Sequence, residues 1–304
     1  MAFKTLSSRK VTWIDIVNPD DRDILYLQEN FDIHPIALEE FFTPTYQPKA
    51  TEFENCLFLS IHIPFFNVET RTSYPVELDI ILTKTHLITG HKNNIYQVDS
   101  FFESLEKNYG KRLLALSDTP AHLMYSVLEI LFNSCFARLE HIGKNLDNIE
   151  ESVFSGHEKE MVFEISVVKR DILNFRRTLK PQHSILKSLC ERKSIFIPEE
   201  LKIYLQDLIG TNIRIWNVLE NNKEIIESLE ATNNSLLSNK LDITMKILTI
   251  FSAIMLPMTV YSNVMSMNAR IPLADYPNAF WIHIIIILCI SIFTIIIFKK
   301  KNWI

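Results

Sequence analysis

Glycine is nearly missing, with five residues in a chain of 304. Loops that cradle dinucleotides or phosphates need glycine for close backbone approach, so this scarcity excludes the common nucleotide-binding classes. The nine histidines form no H-E-x-x-H pair. A G-x-S-x-G nucleophile turn and a Walker loop are absent too, and nothing in the sequence marks an enzyme or an organic cofactor. Cysteine is sparse and scattered: Cys56, Cys135, Cys190 and Cys289 make no C-x-x-C pair. They read as reduced packing residues, not as a disulfide framework or a zinc site. A net charge of -5 is too mild for a nucleic-acid partner.

Long apolar runs, by contrast, are plain. Residues 247–265 carry no charge, and residues 280–298 contain only His283 as an exception. Each run is long enough to cross a hydrocarbon core of about 30 Å at about 1.5 Å per residue. The isoleucines at 284–287 and 295–297 leave the second run no polar face, so a buried soluble helix is a poor description of it. Lys240 and Lys246 precede the first run, Lys299, Lys300 and Lys301 follow the second, and the loop between holds only Arg270 and Asp275. The positive-inside rule then places both termini in the cytoplasm of a multi-pass protein of the plasma (inner) membrane, with the loop outside. The polar, charged first residues carry no cleavable signal.

The remaining chain divides into an α/β cytoplasmic domain over 1–118, a helical hairpin and stalk helix over 119–242, and a transmembrane domain over 243–304. "VTWIDIV" reads as a strand, followed by Asn18-Pro19 as the cap and first turn of a helix to about Phe31. His34-Pro35 opens a short helix to Phe42, and His34 reads as a helix-start or packing residue, not a ligand. "LFLSIHIPFF" and "VELDIILTKTHLITGH" supply strands, the second a hairpin turning near Lys84 and Thr85. From Thr119-Pro120 the pattern becomes helical to about Phe154, breaks at Ser155-Gly156, and resumes from about Glu158 to Cys190. Asp147, Glu150, Glu151, Glu158 and Glu160 read as the solvated end of that hairpin. A third helix opens at Pro198 and runs about 70 residues to Asn268, the length of a stalk entering a membrane.

A 3.5-residue seam runs along that third helix through Asp242, Met245, Thr249, Ser252, Leu256, Thr259 and Asn263. Towards the N-terminus it continues through Ser238, Ser235, Ala231, Ser228, Glu224 and Asn221. It is small and polar before the membrane and mixed within it. One chain cannot enclose a pathway with one seam; a ring of identical chains can. Taken by the pattern alone, the same residues could equally face solvent.

The stretch "MKILTIFSAIMLPMTVYSNVMSMN" resembles the first span of the CorA-type divalent cation channels. Those carry a similar M-K-x-L-T start, a mid-span proline and a Y-G-M-N signature just outside. "TWIDIVNPDDRD", "FDIHPIALEE", "PKATEFENCLFLSI" and "FKKKNWI" fall in the family's order, so the resemblance covers nearly the whole chain. It implies a CorA-like funnel: a homopentamer in the lipid bilayer, with Mg²⁺ as the usual cargo and as a regulatory ion. The signature is matched by Ser266, Met267 and Asn268, with serine in place of glycine. Asn268 is then the outer-mouth residue, since amide oxygens can accept from the water shell that Mg²⁺ gives up reluctantly. Ser266 denies the cheap positive φ of glycine, which predicts a reshaped mouth. Asn263 would add a second amide ring, and Asp242 an acidic cytoplasmic entrance. Arg270, with Leu273 where the family has an acid, would oppose cations at the mouth; Asp275 would offset this.

The resemblance also implies an inter-subunit regulatory metal site, matched by Glu40 in "HPIALEE" and Asp207 in "YLQDLIG"; both can equally be ordinary surface acids. Met245 and Leu248 are the candidate hydrophobic gate, able to close a pore by dewetting. Three functions stay open: a channel for Mg²⁺, with Co²⁺ or Ni²⁺ as further cargoes; a zinc-type transporter of the same superfamily; and a non-conducting regulator or scaffold. The seam has no His or Cys, which disfavours zinc.

Overall fold

The computed structural model describes residues 3–92, 95–116, 118–267 and 278–301. The chain divides into two compact units, Met1–Ala231 and Thr232–Ile304.

In the first unit the strands are β1 (Phe3–Ser7), β2 (Thr12–Val17), β3 (Lys49–Glu52), β4 (Leu57–Asn67), β5 (Thr72–Leu82) and β6 (His86–His91). They form one sheet in the order β1-β2-β6-β5-β4-β3. Only the β2–β6 pair is parallel, with Ile14 opposite Ile88 and Ile16 opposite Gly90. β4 and β5 make a long hairpin whose register puts His62 opposite Glu77 and Ser60 opposite Asp79. The β5–β6 turn falls at 83–85, where the sequence places it.

Helices α1 (Asp21–Asn30) and α2 (Pro35–Phe42) cover one face of this sheet. Ile14, Ile16, Phe58, Ile81 and Ile88 pack there against Leu27, Leu38 and Phe41. Gly90 is required at this spot: a Cβ would lie 2.4 Å from the Phe41 ring. Asn18-Pro19 does not cap α1. Asp20 does, accepting from the Arg22 and Asp23 amides at 2.8 and 3.1 Å while the Asp23 carboxylate accepts from the Asp20 amide. Asn18 extends the sheet instead, its N–H donating to the His91 carbonyl, and sits at φ 53°. An aspartate pair three residues apart makes a reciprocal box, and that outcompetes a lone Asn. His34 caps α2, its Nδ1 accepting from the Ile36 amide at 3.2 Å, and stacks on Phe53.

Between the sheet and the long helices come α3 (Tyr96–Lys107) and α4 (Tyr109–Ala115), neither of which the sequence reading separates. Next are α5 (Pro120–Phe154) and α6 (Glu158–Glu191), joined by a turn at Gly156 with φ +96°. Of the five acids near this turn Glu158 is buried rather than solvated. α6 is bolted to the β4–β5 hairpin. Asp171 accepts from the Ser73 amide at 2.6 Å and pairs with Arg138, Asn174 donates to the Ser73 carbonyl, and Gln182 donates to the His62 carbonyl.

Helix α7 (Leu201–Met265) follows a turn at 198–200 and ends three residues before Asn268. Its first part belongs to the first unit, burying Leu201, Leu205, Leu208, Ile215 and Leu219 at helical spacing. Arg176–Glu220 and Lys169–Glu230 ion pairs at 2.7 and 2.6 Å tie this part to α6.

The second unit contains the rest of α7 and α8 (Ala279–Lys300). Both helices carry stretches apolar and long enough to cross a membrane. Ile250, Ile254, Pro257, Met258 and Tyr261 form the half-buried stripe of α7. His283, Ile287, Ser291 and Thr294 lie on that of α8. Pro257 removes the donor for the Ala253 carbonyl, yet α7 continues through it, as membrane helices tolerate.

Candidate functional site

The seam residues of α7 are all exposed on the single chain. Asp242, Met245, Thr249, Ser252, Leu256, Thr259 and Asn263 share this property, as does Leu248 beside them. At about 100° per residue the seam lies roughly 180° from the stripe that faces α8. One face of α7 is thus committed within the chain, while the opposite, mixed polar face is exposed among the described residues. An apolar side chain such as Leu256, 65% exposed, sits among hydroxyls and an amide on that face.

The two threonine hydroxyls of the seam are already satisfied as donors. Thr249 Oγ1 donates to the Met245 carbonyl at 2.7 Å and Thr259 Oγ1 to the Met255 carbonyl at 2.9 Å. Back-bonding of this kind leaves the oxygen lone pairs free to accept from water or from an ion's hydration shell.

At the end of α7, Ser266 N–H donates to the Ser262 carbonyl at 3.0 Å, and Ser266 Oγ donates to the Asn263 carbonyl at 2.9 Å. Among the described residues the non-glycine positive φ values are those of Asn18 and Arg71, so Ser266 stays out of the left-handed region. The serine closes the helix with its hydroxyl where a glycine would use backbone freedom. Met267 is the last described residue here; Asn268, Arg270, Leu273 and Asp275 lie outside the described residues.

On the α8 side, Tyr261 Oη and His283 Nδ1 are 2.7 Å apart. This polar pair binds the two apolar helices to each other and accounts for the single histidine of the second run. Its signal in the sequence is one tyrosine in the first apolar run and one histidine in the second, but only the folded register pairs them.

The two candidate regulatory acids sit in different surroundings. Glu40 on α2 is held by Lys49 of β3, with Nζ 2.7 Å from Oε1; its Oε2 is buried without a partner. Asp207 on α7 is exposed and acts electrostatically on Tyr125, whose hydroxyl donates to Glu129 at 2.9 Å. Burial and the neighbouring acids push the Tyr125 phenol up. Carboxylates are the donors a hard divalent ion takes. Among the described residues no group of three or more His, Cys, Asp or Glu gathers on one chain, so a regulatory ion at Glu40 or Asp207 would draw further ligands from water or a second copy.

Behind Glu40 lies an acidic cluster that the sequence reading misses. Glu77 Oε1 accepts from the Thr45 amide at 2.7 Å, from the Thr45 hydroxyl, and from the Ser60 hydroxyl at 3.2 Å. Asp79, two residues along the same strand face, is buried and feels both Glu77 and Lys49. Burial, then repulsion by Glu77, pushes its carboxyl up to about 8. Alternation in "VELDII" puts Glu77 and Asp79 on one side of the strand, the one cue that was available. On the opposite face, Asp15 accepts from Thr89 at 2.5 Å and lies 3.4 Å from His91.

Comparison with known proteins agrees with this architecture. The family model described as CorA-like Mg2+ transporter protein matches residues 8–300. The chain is 28% identical over 294 residues to the cobalt/magnesium transport protein CorA of Thermotoga maritima, covering 96% of this chain and 83% of that one. It is 24% identical over 230 residues to the divalent cation transporter CmaX of Pseudomonas aeruginosa, covering 75% and 68% respectively. The fold superposes on the complete structure of the CorA magnesium transporter from Methanocaldococcus jannaschii with a TM-score of 0.86. Identity there is 21%, with 98% of this chain and 93% of that one covered. The family match over residues 8–300 makes this protein a divalent-cation transporter and not an enzyme: the chain belongs to the CorA-like Mg2+ transporter family.

Proposed function

We propose that the chain conducts Mg²⁺, with Co²⁺ as a further cargo, through a homopentameric pore lined by the α7 seam. Asn268 is assigned the outer mouth, Asn263 a second amide ring, and Met245 with Leu248 the hydrophobic gate. The single observation that carries this reading is the division of α7 into an α8-facing stripe and an opposite polar seam with every member exposed. A ring of copies turns that seam into an enclosed path, and hydroxyl and amide oxygens suit a hydrated hard cation. The relatives from Thermotoga maritima and Methanocaldococcus jannaschii, named for cobalt/magnesium and magnesium transport, support the choice of ion. Orientation rests on the flanking lysines, which favour both termini in the cytoplasm, and the inward drive is then about 4.6 kcal/mol per divalent ion per 100 mV. Glu40 and Asp207 are assigned to cytoplasmic ion sensing, where occupancy by Mg²⁺ between copies holds the ring closed.

Flux into liposomes containing the purified protein tests this, with Mg²⁺, Co²⁺ and Zn²⁺ supplied separately and Ser266→Gly measured beside the parent. Mg²⁺ flux in the parent is the expected result. Flux only in Ser266→Gly would make the natural chain a silenced channel, and flux of Zn²⁺ alone would move it to the zinc-type branch. Silence of both folded proteins would refute conduction.

A further inference from the structure

Tyr261 stands midway between the seam residues Thr259 and Asn263, two positions from each, and so about 200° around α7 from both. A contact that holds Tyr261 against α8 therefore turns Thr259 and Asn263 away from it. That contact is the hydrogen bond of 2.7 Å between Tyr261 Oη and His283 Nδ1, with the two ring centroids 6.0 Å apart. A hydrogen bond is directional. The apolar contacts around it are not, and lipid chains offer an isoleucine or a methionine much what α8 offers, so apolar packing alone sets the rotation of a membrane helix weakly.

The end of α7 depends on this bond more than the rest of the helix does. Pro257, four residues before Tyr261, has no N–H to give the Ala253 carbonyl, and a helix bends most easily where such a bond is missing. Beyond that point few residues touch the chain itself. After Met258 and up to Met267, Tyr261 and Met265 are half-buried and the others are exposed. Met265 is flexible and unbranched, and such a side chain fits many surroundings equally well. The polar hold on the segment that carries Asn263 and closes at Ser266 is thus the one that Tyr261 makes.

We propose that Tyr261 and His283 are positioning residues for cation passage: their hydrogen bond pins the α7 segment beyond Pro257 to α8 and so aims Thr259 and Asn263 into the pore. This rests on the reading of the seam as the pore lining. A side chain reaches about 5–6 Å from the helix axis, so a turn of about 20° would carry the Asn263 amide sideways by about 2 Å. Hydrated Mg²⁺ keeps a near-ideal octahedral shell, and oxygens that accept from its waters must match that shell. A loosened pin changes passage without altering any seam residue.

Hydrogen exchange on the full-length protein in lipid nanodiscs, with Mg²⁺ flux into liposomes beside it, tests the pin in Tyr261→Phe, His283→Phe and the double variant. Each single change leaves one polar group unpaired in an apolar run. The double change leaves none, and replacing both partners by apolar rings is nearly neutral for stability. The double variant is therefore expected to keep the parent's thermal midpoint and still lack the pin. Amide exchange over 258–265 should rise about three- to tenfold in all three variants, with little change over 247–256. Mg²⁺ flux should fall at least about threefold in the same variants. His283→Asn, which keeps an acceptor near the place of Nδ1, should restore both readouts. If the pair serves stability alone, flux in the double variant will return with the thermal midpoint. Unchanged exchange over 258–265 in the double variant, or raised exchange with parental flux, would overturn the proposal. If the parent passes no Mg²⁺, the reading of the seam as a pore fails instead, and the exchange measurement still decides the pin.

Discussion

Replacing Lys49 with glutamine removes an ammonium that stands 2.7 Å from Glu40 Oε1, where a divalent cation would have to bind. In the present arrangement Glu40 is turned towards β3, with one oxygen on Lys49 and the other buried. An ion recruited by Glu40 must therefore displace a cation already tethered to the chain. The two side chains keep 35% and 24% of their surface, so the pair is neither fully exposed nor deeply buried. Pairs of that kind contribute about 0.5–1 kcal/mol, which corresponds to a roughly two- to fivefold competition for one carboxylate. The assay is Mg²⁺-dependent protection of the full-length protein against limited proteolysis. In Lys49→Gln the Mg²⁺ concentration at half protection should fall about two- to fivefold, whereas Glu40→Gln and Asp207→Asn should raise it or abolish protection. A midpoint in Lys49→Gln equal to or above that of the parent would refute the competition argument. Absence of protection in the parent would instead remove the sensing role of Glu40 and Asp207 altogether.

Asp79 binds its proton more tightly folded than unfolded, so unfolding releases protons between about pH 4 and the folded value of about 8, and stability should fall across that window. Asp79→Asn, isosteric and neutral, is expected to flatten the decline and to raise the thermal midpoint more at pH 8 than at pH 5; equal effects at both would contradict the buried-acid reading. Tyr261→Phe deprives His283 of its partner across α7 and α8 and should cost about 0.6 kcal/mol, up to about 1.7, a shift readable as a lowered thermal midpoint in detergent. Met245→Ala and Leu248→Ala, exposed on or beside the seam, are expected to raise Mg²⁺ leak into liposomes, and flux no greater than the parent's would move the gate elsewhere.

What could be read in advance follows a physical division between periodic and non-periodic information. Hydrophobic repeat, proline and glycine placement set the long helices: α5 ends at Phe154 and α6 begins at Glu158, on either side of the expected break. The short α3 and α4 were lost because seven to twelve residues hold too few turns for a repeat to stand out. The cap of α1 was misplaced by one motif, since Asn-Pro and Asp-x-x-Asp both signal helix starts and only the reciprocal bonds decide between them. The α7 seam was legible as a stripe, but that stripe alone could not say which face the chain itself consumes. The half-buried register from Ile250 to Tyr261 supplies that missing half.

Contacts between residues distant in sequence were not legible at all. Lys49 reaches Glu40 because β3 lies at the sheet edge beside α2, and Ser60, Glu77 and Asp79 converge because β4 and β5 pair in one register and no other. A one-residue slip would send Glu77 and Asp79 to the opposite face of the sheet, away from Thr45 and Ser60. The consequence for function is specific. The proposed pore lining rests on one helix and its period, so a reading of the sequence reaches it. The ion sensing proposed for Glu40 depends on which charges tertiary structure sets around it, and on that proposal two chains with the same acids at 40 and 207 would differ in ion sensitivity if one lacked the lysine at 49.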